Sequence, residues 1–180
     1  VHEAKQIKLG DPMNNTTDMG PMSSNNQHEN TISKVKQACR DGARILTGGQ
    51  PPKKFKTGYF YEPTVLDNIS PAMEIVTEES FSPVIPIQKV RSMEEAIEQS
   101  NSTKYGLGCC IYTNDIDRAM TAAEEIKSGT ICINNPLMEN IAAPFGGMKQ
   151  SGIGREHGQE ALDEFREPKH IFIDYKQSKK

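Results

Sequence analysis

The sequence predicts an α/β protein: a parallel, helix-layered sheet that is incomplete in itself, followed by a C-terminal arm. Three observations carry this. From residue 84 to residue 134, strand-length apolar runs alternate with helix-length amphipathic stretches, the order that builds parallel sheets through right-handed crossovers. The helix-length stretches open on capping residues: Ser24, Ser92 and the pair Asn114–Asp115. The length, 180 residues, is enough to bury a core without disulfide or metal staples.

The elements follow in order. Val1-His2-Glu3-Ala4-Lys5 reads as the middle of a helix and carries no initiator Met, so the chain is expected to be a piece of a longer protein. Residues 10–22 are dense in turn formers and form a loop. Ser24 then starts a helix with Gln27 as its capping-box partner. His28, Ile32, Val35 and Cys39 make the apolar stripe of that helix, and Gly42 suits a left-handed C-cap. Ala43–Thr47 is a short strand. Tyr59–Leu66 is a second strand, irregular at Pro63.

A loop runs to Glu79, and Val84–Val90 is a strand broken by Pro86. Ser92 caps a helix with Glu95 as capping partner and Met93, Ala96 and Ile97 on one face. Leu107–Tyr112 is the next strand. A helix carrying Ile116, Ala119, Met120, Ala123 and Ile126 follows, ended by Gly129, and Thr130–Asn134 is a strand. Beyond lie a loop (135–143), a glycine-rich segment (144–158), a helix near 157–165 and a last strand, Lys169–Tyr175. The expected division is residues 1–158 as a partial α/β domain and 159–180 as helix and strand arm.

Charge excludes some partners. A net charge of −3 creates no field that gathers nucleic acid or anionic lipid. No apolar run approaches a membrane span, and no signal-peptide pattern opens the chain. Cys39, Cys109, Cys110 and Cys132 form no Cys-x-x-Cys pair, so no metal site is expected. They read as reduced thiols in a cytoplasmic protein.

The most specific segment is Pro144-Phe145-Gly146-Gly147-Met148-Lys149-Gln150-Ser151-Gly152-Ile153-Gly154-Arg155-Glu156-His157-Gly158. A dinucleotide fingerprint fails here, because the third glycine of a Gly152-x-Gly154 opening comes one residue late and no βαβ unit follows. Read from composition alone, it is mainly a structural turn. The segment resembles a signature near the C-terminus of aldehyde dehydrogenases. Three other segments agree in order: Gly10-Asp11-Pro12 leading to Gly20-Pro21, Glu78-Glu79-Ser80-Phe81-Ser82-Pro83-Val84, and Asn101 to Leu107 followed by Gly129-Thr130-Ile131-Cys132-Ile133-Asn134. The similarity runs from about residue 5 to residue 175.

The resemblance implies the parallel three-layer α/β sheet of that family's catalytic domain. It also implies oxidation of an aldehyde with NAD or NADP. In the family, a cysteine thiolate attacks the carbonyl, an Asn side chain and a backbone N–H stabilise the oxyanion, and a glutamate activates water for hydrolysis of the thioester. The family's Gly-Gln-x-Cys nucleophile motif is absent: Gly49-Gln50-Pro51 and Gly158-Gln159-Glu160 lead to no cysteine. No catalytic residue is therefore assigned. This chain alone is expected to be inactive, with nucleophile, oxyanion Asn and general base lying upstream of Val1.

By the same resemblance Glu79 matches the glutamate that accepts hydrogen bonds from the nicotinamide ribose, and Phe81 the aromatic beside the nicotinamide. Ser82 stands where the family has glycine, and it would be strained if that position needed a positive φ. Asn134, Leu137, Met138 and Phe145 match the substrate-tunnel wall. The loop 135–142 holds no aromatic residue for a quaternary-amine cage. The last strand is expected to join a neighbouring subunit and give a homo-oligomer. The alternative reading is a stand-alone, non-enzymatic interaction module using that edge.

Overall fold

The Ser24 hydroxyl accepts the Gln27 N–H at 3.2 Å and opens helix α2, Asn25–Arg40. The helix closes on a Schellman motif: Ala43 N–H donates to the Ala38 carbonyl at 2.8 Å and Gly42 N–H to the Cys39 carbonyl at 3.2 Å, with Gly42 at φ 106°. Both ends lie where the sequence puts them. The buried line is Thr31, Lys34, Val35 and Ala38, with the expected His28, Ile32 and Cys39 half-buried beside it. A lysine on that inner line is unforeseen.

The computed structural model describes residues 1–136 and 140–174. The chain divides into two compact units, Val1–Thr103 and Lys104 onward. The first holds helix α1 (His2–Gln6), α2, strands β1 (Arg44–Thr47) and β2 (Thr64–Asp67), the short helix α3 (Glu74–Thr77), β3 (Val84–Pro86) and helix α4 (Met93–Asn101). Its sheet has the order β1-β2-β3, antiparallel between β1 and β2 and parallel between β2 and β3. The core beneath it joins Val35, Ala38, Tyr61, Leu66, Met73 and Ile75, with Leu66 fully buried.

The second unit holds β4 (Gly108–Ile111), helix α5 (Ile116–Glu125), β5 (Thr130–Ile133) and helix α6 (Gly158–Glu164). The strands β4 and β5 pair in parallel across α5, as the crossover pattern requires. Asp115, the later of the two cap candidates, accepts the Arg118 N–H at 3.1 Å. Ala119, Ala122 and Ile126 bury, whereas the expected stripe members Ile116 and Met120 lie exposed.

The α/β class with parallel strand pairs is as expected, and three expectations of detail need correction. Within the first unit β3 pairs with β2, and within the second β4 pairs with β5. Strand partnering is a non-local choice, and the buried run Thr64-Val65-Leu66 supplies β3 with a partner that spacing cannot reveal. The strand expected over Tyr59–Leu66 begins only at Thr64. Pro63 has no N–H to give a ladder, while the Tyr59 carbonyl takes the Met22 N–H and the Phe60 carbonyl faces His28 Nε2. Gly129 does not end α5, which stops at Glu125. The expected last strand makes no ladder over its described residues, 169–174, where Ile171, Phe172 and Ile173 stay exposed; Tyr175 lies outside the described residues. Among the described residues, no helix is long and apolar enough to cross a membrane.

Tyr61 is 2% exposed, and burial first, then Cys39 and Glu62, pushes its phenol up to about 12. The sign follows from linkage: above pH 10 the unfolded chain ionises this tyrosine while the folded one does not, so stability falls as pH rises from 10 to about 12. Tyr61→Phe is expected to flatten that part of the alkaline loss. Urea unfolding of both proteins between pH 9 and pH 12 checks it, and parallel curves would refute it.

Candidate functional site

In the first unit the loop after α3 is held from behind by α2. Gln27 and Lys34 stand seven residues apart, two helical turns along one face. Gln27 Nε2 donates to the Ser80 carbonyl and to the Phe81 carbonyl, the latter at 3.0 Å. The capping box is thus half made: the backbone of Gln27 serves Ser24, and its side chain leaves the cap for the loop. Lys34 Nζ donates to the Glu79 carbonyl at 3.0 Å, with Glu74 Oε1 further off at 3.9 Å.

Three successive carbonyls being taken inward, the side chains of Glu79 and Phe81 point to solvent. Glu79 is exposed and its carboxylate makes no hydrogen bond to described residues, and Phe81 is 80% exposed. The left-handed residue of this loop is Phe81, at φ 42°, and not Ser82. Ser82 therefore escapes the strain of a positive φ; its hydroxyl donates to Ser80 Oγ at 2.9 Å. From Pro83, whose carbonyl takes the Thr64 N–H at 2.8 Å, the chain enters β3.

In the second unit a cleft of about 610 Å3 is lined by Cys109, Cys110, Cys132, Pro136, Phe145 and His157 among others. Cys110 and Cys132 are register partners across the β4–β5 ladder. Burial first, then Cys110 and Cys132, raises the Cys109 thiol above its ordinary range. A thiol that keeps its proton is a poor nucleophile. Phe145 is clamped by its own backbone, exchanging two 2.7 Å hydrogen bonds with Glu156. Its ring lies 6.3 Å from that of His157.

The glycine-rich segment is a strap. Arg155 Nη1 donates to the Gly147 and Gly154 carbonyls at 3.0 and 2.7 Å. Met148 N–H and Gln150 N–H donate to the Gly106 and Lys104 carbonyls, and Ser151 Oγ accepts the Gly106 N–H. Asn134, at φ 58°, uses its whole amide on Thr113: Oδ1 accepts the Thr113 N–H at 2.9 Å and Nδ2 donates to its carbonyl at 2.8 Å. Of the six residues singled out in the sequence, Glu79 and Phe81 share the first-unit loop. Phe145 lines the second-unit cleft, and Asn134 ties together the ends of β4 and β5. Leu137 and Met138 lie outside the described residues. Sequence reasoning missed Gln27 and Lys34 as loop holders; the one available signal was a lysine at buried helical spacing between Thr31 and Ala38.

Comparison with known proteins gives a consistent picture. The model of the "Aldehyde dehydrogenase family" matches residues 1–171. Betaine aldehyde dehydrogenase of Bacillus subtilis is 38% identical over 174 residues, covering 96% of this chain and 36% of the relative. Mitochondrial 10-formyltetrahydrofolate dehydrogenase of Homo sapiens is 36% identical over 177 residues, covering 97% of this chain and 19% of the relative. Among solved structures, betaine aldehyde dehydrogenase of Staphylococcus aureus in complex with NAD+ superposes with a TM-score of 0.87 at 40% identity, covering 92% of this chain and 33% of that one. The chain spans about a fifth to just over a third of the length of these relatives.

Proposed function

Because the chain belongs to the aldehyde dehydrogenase family, we propose that it is the cofactor-facing and substrate-facing wall of an enzyme that oxidises an aldehyde to a carboxylic acid with NAD or NADP. The observation that carries this is the Glu79–Phe81 loop, which offers a free carboxylate and an exposed ring on a backbone fixed through its carbonyls. That arrangement fits a nicotinamide nucleotide: a ribose diol needs an anionic acceptor, and a flat heterocycle needs an apolar face. NAD or NADP, when bound, supplies the hydride acceptor. Glu79 binds and orients the ribose side, and Phe81 excludes water beside the reacting ring.

On the substrate side Phe145 is the apolar wall, with Leu137 and Met138 assigned to the same wall by resemblance. Asn134 contributes by holding the end of β5 to Thr113. Several relatives are betaine aldehyde dehydrogenases, but residues 135–142 hold no aromatic residue, so a quaternary-amine aldehyde is not part of the proposal. The arm from residue 159 we assign to homo-oligomer formation, on the strength of exposed Ile171, Phe172 and Ile173. The four free cysteines favour a reducing, cytoplasmic setting.

The nucleophile motif is absent from these 180 residues. This polypeptide alone is therefore expected to give no cysteine-dependent NAD or NADP reduction with a simple aldehyde, while the complete protein gives it. Turnover by the isolated polypeptide, abolished by thiol alkylation, would overturn the assignment, as would a complete protein inert toward aldehydes and both nucleotides.

A further inference from the structure

We infer that Lys34 is a positioning residue for the cofactor side of the site, acting with Gln27 through the backbone of the Glu79–Phe81 loop. The inference rests on the proposed nucleotide-dependent function and deepens it. Lys34 is 7% exposed, on the inner line of α2 between Thr31 and Ala38. Stability does not call for a cation there: burying an ammonium is costly, and an apolar side chain of similar volume is often as stable or more so. Nor is an ion pair the stronger tie, since Glu74 Oε1 stands 3.9 Å away and is half exposed, while the Glu79 carbonyl lies at 3.0 Å.

What the ammonium does is fix the carbonyl of the residue whose carboxylate faces outward. Gln27, two turns earlier, fixes the next two carbonyls. Together they hold a loop that contains a left-handed Phe81, a conformation that persists only when its surroundings impose it. Without the clamp, that residue relaxes, and both Glu79 and Phe81 lose their directions.

The test uses the complete protein with Lys34→Met, and Gln27→Ala as a second variant that removes the grip on the next two carbonyls. Three readouts are taken: hydrogen exchange of the 78–84 segment without nucleotide, the Kd for NAD+ by calorimetry, and KM for NAD+ against KM for the aldehyde. Lys34→Met is expected to keep the wild-type Tm. Exchange in the segment should rise and the Kd for NAD+ should weaken, each roughly tenfold, the size of effect that one lost hydrogen bond produces. KM for the aldehyde should stay put, and in a Glu79→Gln background most of the loss of NAD+ affinity should vanish, because Lys34 acts through Glu79. Unchanged exchange and Kd in both variants overturn the inference, and so does a loss that adds in full to that of Glu79→Gln. A wild-type protein that binds neither nucleotide refutes the proposed function instead, and the exchange measurement then decides the clamp by itself.

Discussion

Gly129→Ala is expected to unseat the glycine-rich strap and to unfold or severely destabilise the second unit. A Cβ at this position would sit 1.6 Å from the Gly146 carbonyl oxygen and 2.8 Å from its carbon, far inside any contact distance. The reason is close approach, since Gly129 is not among the positive-φ glycines. Its N–H donates to the Gly106 carbonyl at 3.0 Å, and Met148 N–H donates to that same oxygen at 2.8 Å. Strap and strand entry therefore converge on one acceptor, and neither backs away without breaking its bond.

Displacing the strap forfeits the Met148, Gln150 and Ser151 hydrogen bonds as well. Each contributes about 1 kcal/mol net, and the steric term adds to them. Against a domain stability of roughly 5–15 kcal/mol, this removes most of the margin. Gly108→Ala is the matched control, because a Cβ there meets nothing within 4 Å. Thermal melts and proteolysis of the 144–158 segment distinguish the two. A Gly129→Ala protein that melts with the wild type would sink the argument.

Local chemistry made part of this fold legible in the sequence. The caps at Ser24, Ser92 and Asp115 are where they were expected because a cap is decided within three or four residues. The β4–α5–β5 crossover was legible for the same reason: its periodicity and handedness are properties of one short stretch. What stayed hidden was decided at a distance. Nothing around Val84 says that its partner is Thr64. The glycines of the strap read as turn formers, whereas Gly129 and Gly147 are required by what packs against them: a Cβ on Gly147 would lie 2.6 Å from the Ser151 backbone.

The site shows the same split. Glu79 and Phe81 were legible only by resemblance, since by composition they are an acidic pair member and a core aromatic. The structure denies the second of these readings, because Phe81 is 80% exposed. Gln27 obeyed its capping rule with its backbone and escaped it with its side chain, a choice set by a loop more than fifty residues away.

Glu79→Gln is expected to separate function from stability more cleanly than any other change to this chain. Its carboxylate is exposed and bonded to nothing described, so the substitution removes no folded-state interaction and unfolding free energy should move little, within about 0.5 kcal/mol. The backbone that aims it is untouched, because Lys34 and Gln27 grip carbonyls and not the side chain. What is lost, on the proposed role, is the charge on an acceptor of the ribose hydroxyl hydrogen bonds. Such charge-assisted bonds contribute roughly 1.5–3 kcal/mol, about ten- to a hundredfold in kcat/KM for the nucleotide. Both kcat and nucleotide affinity should fall if the carboxylate orients as well as binds, while KM for the aldehyde holds. Steady-state kinetics on the complete protein, with melting curves beside them, read both quantities. Unchanged nucleotide kinetics with an intact fold would remove Glu79 from the site and leave the clamped loop without the role its geometry supports.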